Sequence, residues 1–173
     1  MLSDTDPLLF AYFRQLFAQV SNPPLDAIRE ELVTSLETYL GAEQNLFDET
    51  PLHCHMLKLK EPFLTNRELE KVRNINNGRL RAKTLSTLFE PAKGRSAMKA
   101  AMDDLCAEAS KAVAEGYTIL VLSDRGVDSE RAPIPSLLGV SAVHHHLVRE
   151  CTRTEVGLIL ETGEPRDVHH FAC

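Results

Sequence analysis

The sequence is conspicuous first for what it lacks. No apolar stretch approaches the length of a membrane span. Met1 is followed by Leu2-Ser3-Asp4-Thr5-Asp6, which has neither the basic start nor the apolar centre of a secretory leader. The four cysteines, Cys54, Cys106, Cys151 and Cys173, show no CxxC pair and no framework spacing, so they read as free thiols of a reducing, cytoplasmic compartment. No nucleophile elbow, P-loop or dinucleotide fingerprint occurs anywhere. Positive charge is also short: 19 Lys and Arg against 25 Asp and Glu give a net charge of -6, with no basic stripe to attract nucleic acid or an anionic membrane.

What remains is an ordinary globular composition, 43% hydrophobic and 25% charged over 173 residues, enough for one domain with its own core. The apolar spacing predicts a helix over 7–20, with Asp4 or Asp6 as its cap, stopped by the double proline Pro23-Pro24. A second helix is expected over 24–40, with Leu25, Ile28, Leu32, Leu36 and Leu40 on one face and Gly41 as its stop. Residues 55–59 alternate like a short strand, and 66–72 read as a helix capped by Thr65 with Glu68 reaching back. Asn76-Asn77-Gly78 signals a turn.

The second half is more regular. Strands are expected over 81–89, 117–122 and 156–160, with a last short one at 168–171; helices are expected over 97–115 and from 135 or 136 to about 150. The nearly all-apolar run 117–122 has the pattern of a strand buried on both faces. The fold class is therefore α/β: a mostly helical part over 1–80, then alternating β-α-β-α-β over 81–173 with a mainly parallel sheet, either flavodoxin-like or a partial barrel. The chain opens directly on a helical pattern and stops just after a strand-like run, which predicts a single-domain piece of something longer.

Four constellations invite chemistry. Ser123-Asp124-Arg125 follows a buried strand, at the edge where α/β sheets take ligands, and Arg125 suits a small anion; the plainer reading is that Asp124 and Arg125 hold the loop or touch a neighbouring domain. His144-His145-His146 on a helix point about 100° apart and cannot converge on one ion, and His169-His170 on a strand point to opposite faces. A metal would need one histidine of each set plus a carboxylate such as Glu161. Glu161 and Glu164 offer two carboxylates for acid–base work, against a turn with Gly163 at positive φ and solvated glutamates. Ser21-Asn22-Pro23-Pro24 is either a helix connector or a rigid docking surface or passage lining.

Several strings resemble one family. FRQLFAQVSNPPLDAIREELVTSLETYLG (13–41), LVLSDRGV (120–127), APIPSLLGVSAVHHHLVR (132–149) and GLILETGEPRDVHHFAC (157–173) are similar, in order, to the central domain of the glutamate synthase large subunit. The family usually has Thr where Ser21 stands, and Gly is common where Cys151 stands. The resemblance implies a parent that converts L-glutamine and 2-oxoglutarate into two L-glutamate. In it an amidotransferase domain releases ammonia, which passes through a channel to an FMN synthase domain bearing a 3Fe–4S cluster. Electrons come from NADPH through a small subunit, or from ferredoxin. The central domain connects the two catalytic domains and helps form the channel, so this chain is expected to hold no catalytic, cofactor or metal residue and to be inactive alone. Its partners would be those two domains, and an excised piece would self-associate through exposed apolar surface. Channel or interdomain roles fall on Ser21, Asn22, Pro23, Asp124, Arg125 and Glu161. The alternatives are a stand-alone metal-dependent or hydrolytic α/β enzyme using Asp124, Glu161 and a histidine, or a small-anion binding module at the strand ends.

Overall fold

The computed structural model describes residues 5–14 and 24–173. The first expected helix is represented there by one 3-10 turn, Leu9–Tyr12, after which Phe13 is extended at φ -97° and ψ 120°. Ser21, Asn22 and Pro23 lie outside the described residues, as does the rest of that expected helix from residue 15 to 20.

The second expected helix shrinks to α1, Glu30–Val33, and its predicted end is instead a strand, β1, Thr38–Leu40. Hydroxyl side chains explain the change. Thr34 Oγ1 donates to the Glu30 carbonyl (2.7 Å), Ser35 Oγ accepts from the Glu37 amide (3.2 Å), and Thr38 Oγ1 donates to the Leu36 carbonyl (3.2 Å). Such local bonds compete with a helical ladder. The supposed buried face is largely exposed, Ile28 at 91% and Leu32 at 79%; only Leu40 is buried.

After a 3-10 turn at Pro51–Cys54, β2, Leu57–Leu59, pairs antiparallel with β1. The helix α2, Asn66–Arg73, has the expected capping box: the Glu68 amide donates to Thr65 Oγ1 (3.3 Å) and the Thr65 amide to Glu68 Oε2 (2.8 Å). A hairpin follows, β3 Asn76–Asn77 and β4 Leu80–Ser86, closed by Gly78-Arg79 with Gly78 at φ +59°. Glycine at the first central position is what a two-residue primed turn requires. The N-terminal part, expected to be mostly helical, thus contributes three strands as well.

The expected strand 81–89 is divided at Thr87. Its amide and hydroxyl both donate to the Ser123 carbonyl (2.9 and 3.1 Å), and the chain turns off into β5, Leu88–Phe89. Then come α3, Ala97–Ala114; β6, Ile119–Ser123; and β7, Ala132–Pro133, which pairs antiparallel with β5. They are followed by α4, Ser136–Arg149; β8, Gly157–Glu161; and α5, Val168–Ala172. The last replaces the expected strand at 168–171: Asp167 Oδ1 accepts from the His170 amide (3.1 Å), an N-cap bond that starts a helix.

The main sheet has the order β3-β4-β6-β8, with β4–β6 and β6–β8 parallel and β3–β4 antiparallel. Among the described residues two pairings are parallel and three antiparallel, so the chain is mixed α/β rather than mainly parallel. The central strand β6 is buried throughout. Leu120 and Leu122 join Leu105, Ala109, Val143 and Leu147 beneath α3 and α4, while Ile119 packs with Leu40 and Val72 on the opposite face. Each such leucine, isoleucine or valine side chain contributes about 1.5–3 kcal/mol by leaving water. That two-sided burial makes β6 the fixed reference for both strand ends.

Both long helices end with the same left-handed cap. At α3 the Tyr117 amide donates to the Ala112 carbonyl and the Gly116 amide to Val113; at α4 the Thr152 amide donates to Leu147 and the Cys151 amide to Val148. Gly116 has φ +81°, but the second cap places Cys151 at φ +59°, the one non-glycine residue at positive φ among the described residues. No described helix is long and apolar enough to cross a membrane.

Candidate functional site at the carboxyl edge of the parallel ladder

The carboxyl ends of β6 and β8 lie side by side, with Ser123 in register with Glu161. The Ser123 hydroxyl and Arg73 both donate to Glu161 Oε2, and Arg125 Nε donates to Oε1. The Glu161 side chain is only 10% exposed. Arg73 also bonds Glu70, one turn back on α2, and Arg125 reaches Asn66 Oδ1 (3.2 Å) at the start of that helix. One carboxylate therefore ties together β8, β6, the loop after β6 and α2.

The electrostatics follow from that geometry. Burial disfavours the charged form of Glu161, but the Ser123 hydroxyl and the Arg125 and Arg73 guanidinium groups outweigh it, and the carboxyl titrates below its ordinary range. Burial likewise works against charged Arg73, and Glu70 and Glu161 more than compensate.

Asp124 faces elsewhere: its Oδ2 accepts from Thr162 Oγ1 (2.6 Å) and the Gly163 amide (3.3 Å). Glu164 Oε2 accepts from the Ser136 amide (2.7 Å) and hydroxyl (2.5 Å), closing the start of α4. Glu161 and Glu164 are therefore not the solvated pair of a simple turn, and Gly163 is not at positive φ. In the loop after β6, the Arg131 side chain and the amides of Glu130 and Arg131 hold the Asp128 carboxyl down to about 2.

Sequence reasoning placed Asp124, Arg125 and Glu161 at strand ends, and the fold brings them to one edge. It missed Arg73, which lies 88 residues from Glu161. No local signal marks it, because the contact exists only once α2 lies across the sheet.

The histidines of the two sets bond to different partners and do not meet at Glu161. His144 Nδ1 accepts from Arg153 Nε (3.0 Å), and burial, then Arg153 and His145, hold its pKa below the usual value. His146 Nε2 bonds Ser110 Oγ (2.7 Å), His169 Nε2 bonds the Phe10 carbonyl (3.3 Å), and His170 stacks on the Phe10 ring at 4.5 Å. Glu161 meets arginines rather than a histidine. Among the described residues no three His, Cys, Asp or Glu side chains converge as metal ligands.

Next to Glu161 opens a cleft of about 630 Å³. Leu40, Leu59, Leu69, Val140 and Phe171 supply apolar walls, and Asn66, Ser136 and Thr162 line its polar end beside Glu161.

Comparisons with known proteins agree across the whole length. The family model for the glutamate synthase central domain matches residues 1–173. The chain is 43% identical over 173 residues to the glutamate synthase [NADPH] large chain of Bacillus subtilis, covering 100% of this chain and 11% of that protein. It is 43% identical over 172 residues to the glutamate synthase [NADH] of Schizosaccharomyces pombe, covering 98% and 8%. It is 41% identical over 175 residues to the ferredoxin-dependent glutamate synthase of Pyropia yezoensis, covering 100% and 11%. The chain thus spans about a tenth of the length of such relatives. With the family model matched from end to end, the chain belongs to the glutamate synthase central domain family.

Proposed function

We propose that this chain is a connecting scaffold within a cytoplasmic glutamate synthase, joining an amidotransferase domain to an FMN synthase domain, helping to form the ammonia passage, and catalysing nothing alone. The observation that carries the reading is the commitment of the ladder's edge. Glu161 is bound to two arginines and a serine, Asp124 to Thr162 and Gly163, and Glu164 to Ser136. Glu161 carries donors on both of its oxygens, and Asp124 and Glu164 each commit one oxygen to loop and helix ends, so all three carboxylates hold the edge together. The FMN and the 3Fe–4S cluster belong, on this reading, to the neighbouring domain.

Two further observations support a scaffold. Ile28, Leu46 and Phe47 are each about nine-tenths exposed, apolar surface suited to neighbouring domains or, in an isolated chain, to self-association. NADPH-, NADH- and ferredoxin-named relatives match at similar identity, so the electron donor, a small NADPH-oxidising subunit or ferredoxin, is selected elsewhere in the polypeptide. On this reading the β4-β6-β8 ladder is the nucleus of an open flavodoxin-like sheet or of part of a barrel.

Ser21, Asn22 and Pro23 are assigned to the passage wall from sequence. In the full-length enzyme Ser21→Trp is expected to raise the glutamine hydrolysed per glutamate formed, with ammonia-dependent glutamate formation retained. An unchanged ratio rejects the assignment.

A further inference from the structure

Glu161 occupies the place where a ligand would be sought. It ends β8 at the carboxyl edge of a parallel ladder, the side from which open α/β sheets bind ligands. Its partners are those of a carboxylate site. Two guanidinium groups and a hydroxyl donate to its two oxygens, Arg125 to Oε1, Arg73 and Ser123 to Oε2. Paired donors of this kind match planar carboxylates in particular.

The other carboxylates of this edge point away from the two guanidinium groups. Glu70 neutralises one side of Arg73, Asp124 is turned to Thr162 and Gly163, and Glu164 is turned to Ser136. Arg73, which Glu161 shares with Glu70, and Arg125 are the charged groups that act on the Glu161 carboxyl, and both remain when its side chain is taken away. The site is also reachable, because Glu161 lines the 630 Å³ cleft together with Asn66, Ser136 and Thr162.

We infer that Arg73, Arg125 and Ser123 form a carboxylate-binding site which the chain fills with its own Glu161, holding the ladder's ligand edge closed. A free small carboxylate takes the same place when the Glu161 side chain is removed. The inference does not depend on the connecting role proposed above.

The test uses the full-length polypeptide and hydrogen–deuterium exchange of peptides covering 119–131 and 157–164. Glu161→Ala is expected to speed exchange there by about tenfold or more, since each tenfold corresponds to about 1.4 kcal/mol of local opening. Sodium formate should restore most of that protection in a saturable way; sodium chloride at equal ionic strength should not. The double variant Glu161→Ala/Arg73→Gln should not respond to formate. Glu161→Gln, which keeps the place filled, should not respond either. Should Glu161→Ala be insoluble, refolding in formate is expected to recover soluble protein where chloride does not. The inference is overturned by unchanged exchange in Glu161→Ala. It is overturned equally by formate and chloride acting alike, by formate protecting the double variant or Glu161→Gln, or by failed recovery in formate.

Discussion

Replacing Cys151 by glycine should stabilise the protein, although it removes a side chain. Cys151 closes α4 at φ +59°, with the Thr152 amide on the Leu147 carbonyl (2.9 Å) and its own amide on Val148 (3.1 Å). An L-residue in that region costs about 1–2 kcal/mol through the clash of Cβ with the following carbonyl. Glycine removes this cost but adds about 0.5–1 kcal/mol of backbone entropy to the unfolded chain. Cys151 is exposed, so no buried contact is lost. Taking the middle of each range, the balance is a gain of roughly 0.75 kcal/mol, equivalent to a rise in Tm of about 1.5–3 °C for a domain of this size. The equivalent cap of α3 supplies the reverse experiment. Gly116 sits at φ +81°, and a Cβ there would meet only Arg81 Nη1 at 3.5 Å, an ordinary contact. Gly116→Ala should therefore lose about 0.75 kcal/mol net, the backbone strain less the entropy that alanine removes from the unfolded chain. Urea unfolding of wild type, Cys151→Gly, Cys151→Ala and Gly116→Ala under reducing conditions gives all the values. The reasoning fails if Cys151→Gly is neutral or destabilising, or if Cys151→Ala gains as much as glycine.

Three other outcomes follow from the same structure. The lowered pKa of Glu161 means that its stabilisation is complete above the unfolded carboxyl value and is lost as pH falls through the folded one. The difference in unfolding free energy between wild type and Glu161→Gln, about 1.5–3 kcal/mol near neutrality for charged hydrogen bonds, should shrink towards zero in acid, as pH-dependent urea titrations would register. His144 has a depressed pKa from burial and Arg153, so it favours the folded state fully above the unfolded histidine value and progressively less as pH falls below it. Stability should therefore decline on acidification from neutrality, and His144→Gln should flatten that slope in scanning calorimetry. At Gly157 an added Cβ would lie 3.1 Å from the Gly41 nitrogen and 3.3 Å from Leu40 Cα, both backbone atoms. Gly157→Ala should cost about 1–3 kcal/mol through overpacking, measured as a lower urea midpoint with an unchanged slope.

The second half was legible because its signals are local and strong. The run Ile119–Ser123 is apolar enough to require burial on both faces, and α3 and α4 carry helical apolar spacing that finds a matching sheet. The N-terminal pattern misled for a physical reason. Leu25, Ile28, Leu32 and Leu36 are spaced for a helix face, but no partner within the described residues covers them, and the hydroxyls of Thr34, Ser35 and Thr38 bind the backbone instead. At the other end, Asp167 capped a helix where strand-like residues were expected.

By itself the sequence determined the family, the buried central strand, the two long helices and the placing of Asp124, Arg125 and Glu161 at strand ends. Only tertiary structure decided what those side chains do. Packing α2 across the sheet brings Arg73 to Glu161, and once two guanidinium groups and a serine hydroxyl surround that carboxylate, it holds strands and loop together. Spacing along a chain reveals which face a residue occupies, whereas the partner it meets there depends on elements tens of residues away.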